Sequence, residues 1–132
     1  MKEILALVRM NMMNETKNAL SEAGVSSFTA RKVMGRGKGK VDYHILKGAE
    51  AGYDEAINQL GPNPKFIPKR MIQVILPDDM VPVAVEAIIR VNQTGHPGDG
   101  KIFVLPVLES VRIRTGETGK EVLDEARPKV KA

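Results

Sequence analysis

The chain contains no cysteine and no tryptophan, and its aromatic side chains stop at Phe28, Tyr43, Tyr53, Phe66 and Phe103. Without cysteine, disulfide scaffolds, thiolate zinc centres, iron–sulfur clusters and thiol nucleophiles are excluded together, and a reducing, cytoplasmic setting is expected. Five aromatics leave few platforms on which nucleobases could stack. Charged residues interrupt every apolar stretch well short of the ~20 positions a membrane helix needs, so neither membrane insertion nor a secretory signal core is expected. Glycine and proline, 12 and 8 of 132 residues, stay below the level of a low-complexity chain, and the length suits one domain.

What the chain does have is unevenly placed positive charge. Between Arg31 and Lys47 six cations (Arg31, Lys32, Arg36, Lys38, Lys40 and Lys47) face the single Asp42, a local surplus larger than the net +4 of the whole chain. Such a patch points to an anionic partner: nucleotide, nucleic acid or acidic protein surface.

Ile4 to Val8 is an apolar run of strand length. Asn11 is placed to cap a helix through Met12, Thr16, Ala19, Leu20 and Ala23, with Gly24 at its left-handed end. Phe28 to Met34 predicts a second strand ending at Gly35. Gly35 to Phe66 holds half of all the glycines and only one candidate helix, Asp54 to Leu60, which marks it as a functional arm. Arg70 to Leu76 predicts a third strand. Asp78 or Asp79 then caps a second helix through Val81, Val85, Ile88 and Ile89, with Pro82 tolerated in its first turn. Ile102 to Val107 and Val111 to Ile113 form a last extended stretch interrupted at Pro106. Two βαβ halves of this kind predict an α+β, ferredoxin-like four-stranded antiparallel sheet with both helices on one face. Leu5, Leu7, Ile72 and Val74 would leave the other face apolar in places, which predicts oligomerisation.

Three patterns carry chemistry. Gly35-Arg36-Gly37-Lys38-Gly39-Lys40 alternates glycine with cations, so that backbone N–H groups can approach a phosphate beside positive charge; a flexible basic loop without a ligand is the alternative. Gly95-His96-Pro97-Gly98-Asp99-Gly100-Lys101 has the spacing of a P-loop. However, Ile102 stands where Ser or Thr should bind magnesium, and the loop runs from helix to strand instead of strand to helix, so a P-loop NTPase is excluded. Arg112 and Arg114, two apart in a predicted strand, would project to one face as a forked phosphate clamp or as a solvated edge. Lys69 and Arg70, before the third strand, are candidates for a small carboxylate. His44 and His96 lack companions at metal-ligand spacing, and no catalytic triad or carboxylate pair stands out.

Gly35-Arg36-Gly37-Lys38, Thr94-Gly95-His96-Pro97-Gly98-Asp99-Gly100-Lys101-Ile102-Phe103-Val104 and Val111-Arg112-Ile113-Arg114-Thr115-Gly116-Glu117 together resemble the PII nitrogen-regulatory signal proteins. The resemblance covers residues 1–117 as one domain, with 118–132 as a polar tail. It implies a non-enzymatic, ferredoxin-like trimer with ATP or ADP in clefts between subunits and a long T-loop, about residues 37–66, that touches target proteins. Thr29, Gly35, Arg36, Gly37, Lys38, Gly98, Asp99, Gly100 and Lys101 would hold the nucleotide on one subunit, with Arg112 and Arg114 reaching in from the neighbour. Mg2+ and 2-oxoglutarate are implied as further ligands, with Lys69 at the effector. Gly39 stands where the family has a Gln beside the metal, and Ala51 where it has a modifiable Tyr. The longer T-loop, with Phe66-Ile67-Pro68-Lys69-Arg70 and Phe103-Val104-Leu105-Pro106-Val107, looks like the branch encoded beside nitrogenase genes. That branch implies a shorter PII paralogue as companion and a nitrogenase component as target; an ammonium channel or a nitrogen-assimilation enzyme is the alternative target. An RRM-like nucleic-acid binder shares the layout, but the predicted central strands lack stacking aromatics. A phosphate-ester or acylphosphate hydrolase lacks an evident nucleophile.

Overall fold

In the first strand, β1 (Lys2–Arg9), side chains alternate between two faces, and the inward set Ile4, Ala6 and Val8 is buried. A computed structural model describes residues 1–36 and 66–124 of the chain. The remaining elements are α1 (Met13–Glu22), β2 (Thr29–Gly35), β3 (Ile67–Leu76), α2 (Val81–Asn92) and β4 (Lys101–Pro106). The strands form one antiparallel sheet in the order β2-β3-β1-β4, the ferredoxin-like double βαβ arrangement expected from the sequence. The expected helix at Asp54–Leu60, residues 37–65 of the expected arm and residues 125–132 of the tail lie outside the described residues.

The core is the layer between the sheet and the two helices. From β1 and β3 come Ile4, Val8, Ile72, Val74 and Leu76; from the helices Leu20, Ala84 and Ile88. In α1, Thr16, Ala19 and Leu20 sit three and four apart and form the buried stripe. The alanines of α2, Ala84 and Ala87, are small enough to let the helices approach closely. A polar link joins the two helices: Asn92 Nδ2 donates to Thr16 Oγ1 at 3.0 Å, and Thr16 in turn donates to Met12 O at 2.6 Å.

The register corrects one expectation. Ile72 and Val74 face Ala6 and Ile4 across the β1–β3 ladder, so they share the helix-covered face and are fully or nearly fully buried. The open face is built from Leu5, Leu7, Met71, Gln73 and Ile75, continued on β4 by Phe103 and Leu105. Gln73 donates to Glu3 there. An apolar open face is therefore present, but with different β3 residues.

Capping also differs. α1 is entered through a 3-10 turn at Met10–Met12, so Asn11 lies within that turn and its side chain caps nothing. Asp78 and Asp79 likewise form a 3-10 turn before α2, and Asp78 instead accepts from the Met1 ammonium at 2.9 Å and Lys2 Nζ at 3.3 Å. These two cations hold its carboxyl below the ordinary value. Pro82 does fall in the first turn of α2, and Pro106 is the last residue of an edge strand. No described helix is long and apolar enough to cross a membrane.

Candidate functional site

The antiparallel registers bring four chain segments to one end of the sheet. Arg9 ends β1 opposite Lys69, Gly35 ends β2 opposite Ile67, and Lys101 opens β4 opposite Leu7. Gly35 and Lys101 are thus three inter-strand spacings apart across the sheet, roughly 14 Å, and offset by about four residues, roughly 13 Å, along the strands.

The loop between α2 and β4 is held by a carboxylate. Asp99 accepts from the Thr94 N–H at 2.7 Å, the Gly95 N–H at 3.0 Å and the Thr94 hydroxyl, and its Oδ1 meets Arg9 Nη1 at 2.8 Å. Burial pushes the Asp99 carboxyl up, but the hydrogen bonds from Thr94, Arg9 and Gly95 outweigh it and leave the carboxyl below the ordinary 3.8. Arg9 also donates to Pro97 O at 2.9 Å, and Lys69 Nζ donates to Gly98 O at 2.9 Å. Arg9 and Lys69 stand directly opposite each other, where like charges repel. Both cations are instead directed onto the same loop. Gly100, at φ +108°, lies so close to β1 that an added Cβ would stand 1.8 Å from Leu7 O. No other residue fits there.

At the far side of the same end, Gly35 is neither left-handed nor crowded: among the described residues nothing lies within 4 Å of where its Cβ would stand. Arg36 follows it with its guanidinium over the Phe66 ring, 5.4 Å from the centroid. With Arg9, Arg36, Lys69 and Lys101 against Asp99, this end of the sheet is positive. Gly37 and Lys38 lie outside the described residues. Among the described residues no group of three or more His, Asp or Glu side chains could hold a metal.

The other predicted residues are elsewhere. Thr29 starts β2 beside Gln73, six residues or roughly 20 Å from Gly35, so a single subunit does not place it with the glycine loops. It lines a depression of about 680 Å³ with Phe28, Gln73 and Val122–Asp124. Arg112 and Arg114 are not on a strand, as the alternation suggested. Gly116 N–H donates to Arg112 O at 2.7 Å and Arg112 N–H to Glu117 O at 2.8 Å, so the chain turns at Thr115-Gly116, with Gly116 at φ +73°. The Arg112 guanidinium pairs with Glu117 at 3.0 Å and reaches Val122 O at 3.5 Å; Arg114 is exposed. This segment follows β4, whose last residue lies beside Lys2 at the end of the sheet opposite Arg9.

Arg9 was visible in the sequence only as a charge flanking a strand. Its role depends on a partner 90 residues away, which no local pattern announces.

With the geometry in hand, comparison with known proteins is informative. The sequence model described as nitrogen regulatory protein P-II matches residues 1–117. The chain is 42% identical over 123 residues to the nitrogen fixation nifHD region GlnB-like protein 2 of Methanobacterium ivanovii, covering 93% of this chain and 99% of that protein. It is 41% identical over 123 residues to the nitrogen regulatory protein P-II of Cereibacter sphaeroides, covering 93% and 100%. Among solved structures, Arabidopsis thaliana PII bound to citrate superimposes with a TM-score of 0.66 at 28% identity, covering 91% of this chain and 86% of that one. The chain belongs to the P-II family of nitrogen regulatory proteins.

Proposed function

We propose that this chain is a non-enzymatic, cytoplasmic nucleotide sensor that acts as a trimer and controls a nitrogenase component through its T-loop. The observation that carries the proposal is that Gly35, Arg36, Lys69 and the 98–101 loop lie at one end of the sheet, where no described residue stands within 4 Å of a Cβ added at Gly35. ATP or ADP would lie across that end, with Lys101 and the Gly98 and Gly100 backbone toward the phosphates, and Gly37 and Lys38 continuing the site. Asp99 serves this ligand by shaping the loop, since its carboxylate is engaged by Thr94, Gly95 and Arg9.

Thr29, Arg112 and Arg114 complete the cleft from a neighbouring subunit. The distance between the two ends of β2 supports that division, and the exposed Phe103 and Leu105 of the open face supply an apolar surface for a trimer. Mg2+ would arrive with the phosphates of the nucleotide, and 2-oxoglutarate beside Lys69. The citrate bound by the plant relative favours a small carboxylate as the effector class.

The nifHD-region naming of the archaeal relatives favours nitrogenase over an ammonium channel or an assimilation enzyme, and a shorter PII paralogue as companion. An RRM-like role is disfavoured because β1 and β3 carry no aromatic side chain. Calorimetry with ATP and ADP tests the ligand, and a folded chain that takes up neither at millimolar concentration overturns it. Affinity capture from nitrogen-fixing cells before and after ammonium addition tests the target. A nitrogenase component recovered only after ammonium is expected; an ammonium channel in its place replaces the assignment.

A further inference from the structure

Beyond the turn at Thr115-Gly116 the chain is led back to the sheet. Gly119, at φ +90°, donates its N–H to Ser110 O at 3.0 Å and to Glu109 Oε1 at 3.1 Å. A 3-10 turn at Lys120–Val122 follows, and Leu123 N–H closes it on Lys120 O at 3.1 Å. Val122 and Leu123, both partly buried, and Asp124 thereby reach the depression of about 680 Å³ that holds Phe28, Thr29 and Ile75. This segment lies beyond residue 117, where the match to the P-II sequence model ends.

The depression differs in character from the end of the sheet that carries Arg9 and Lys101. Among the described residues that line it none is a cation, and Asp124 adds a carboxylate, so phosphate is repelled there. Phe28, Ile75 and Leu123 offer apolar surface while Thr29 and Gln73 offer polar groups. Its volume lies within the roughly 300–1,000 Å³ of small-molecule sites. Apolar faces with a polar edge are the chemistry of a nucleobase, the uncharged end of a nucleotide.

We infer that residues 122–124 wall the nucleobase subsite, with the Leu123 side chain against one face of the base. This inference rests on the nucleotide reading, in which Thr29 completes the cleft of a neighbouring subunit. The base held here belongs to the nucleotide whose phosphates lie on that neighbour's 98–101 loop. Leu123 acts by contact with the ligand, so its loss weakens binding without lowering the melting point.

The test uses the full chain, calorimetry with ATP and isotope-filtered NMR. Leu123→Ala is expected to weaken ATP binding roughly three- to tenfold, the size of part of a leucine side chain returned to water. Leu123→Met, which keeps the apolar volume, and Lys120→Ala, on the same turn but outside the depression, are expected to bind like the parent. In the bound state the Leu123 methyl protons are expected to cross-relax with adenine H2 or H8, a signal that a purely structural leucine does not give. Thermal melts within about 2–4 °C of the parent show that the fold is intact. Unchanged or tighter ATP binding by Leu123→Ala, equal weakening by Leu123→Met or Lys120→Ala, or no methyl–base contact while ATP is bound, overturns the inference. A folded parent that takes up no ATP overturns the nucleotide reading, and the inference with it.

Discussion

A carboxylate that accepts from two backbone N–H groups, a hydroxyl and a guanidinium loses all four interactions in part when it takes up a proton. Asp99 is that group, and its carboxyl is held below the ordinary 3.8. A depressed folded-state value means that the stabilisation is present above the unfolded value and is lost as pH falls through the folded one. The thermal midpoint of the parent should therefore fall more steeply than that of Asp99→Asn as pH is lowered from 5 to 3, and the two should run parallel between pH 5 and 7. Parallel curves throughout would show that the loop does not depend on the charge. Next to it, Gly100 has both a left-handed backbone and a carbonyl 1.8 Å from any Cβ. Gly100→Ala should cost on the order of 3 kcal/mol or more in denaturant unfolding, through backbone strain together with displacement of β1.

Strand β3 divides its apolar side chains between two environments, and substitution should separate them. Ile72→Ala, within the helix-covered core, should cost about 2–5 kcal/mol of stability. Met71→Ala on the open face should leave the stability of a dissociated subunit nearly unchanged. This division was the part of the fold least legible from the sequence. The strands, both helices and their order follow from apolar runs and three-and-four spacings, and Gly24 and Pro82 mark helix ends through their own backbone chemistry. Met71 to Leu76, however, is apolar on nearly every position, so alternation cannot tell which face meets the helices; only pairing with Ala6 and Ile4 does. Alternating arginines at 112 and 114 imitate a strand, but Thr115-Gly116 prefers a turn and closes it with two backbone hydrogen bonds. Of the site, the glycine loops and Lys69 were legible as composition, whereas the Arg9–Asp99 contact belongs to the register of distant strands.

At the scale of the whole molecule, the open sheet face needs a cover. Phe103, half exposed on the edge strand β4, should be sensitive to charge: Phe103→Glu is expected to shift the mass seen by light scattering toward a single subunit while circular dichroism keeps its helix and sheet content. Retention of the full trimer mass would place the interface elsewhere. The placement of Lys101 at the start of β4 and of Arg112 beyond its last residue, Pro106, has a genetic consequence. In the proposed trimer, with Arg112 of one subunit closing the cleft of the next, each cleft has a left parent and a right parent, and the ring of three is a directed, head-to-tail closure. A chain crippled by Lys101→Ala and another crippled by Arg112→Ala should each be silent alone. Co-assembled in equal amounts, they should regain nucleotide uptake in roughly one cleft in four, the chance that an intact half from each parent meets. Two dead alleles would thus make a partly living protein, and a companion paralogue in the same ring would own half of every mixed cleft.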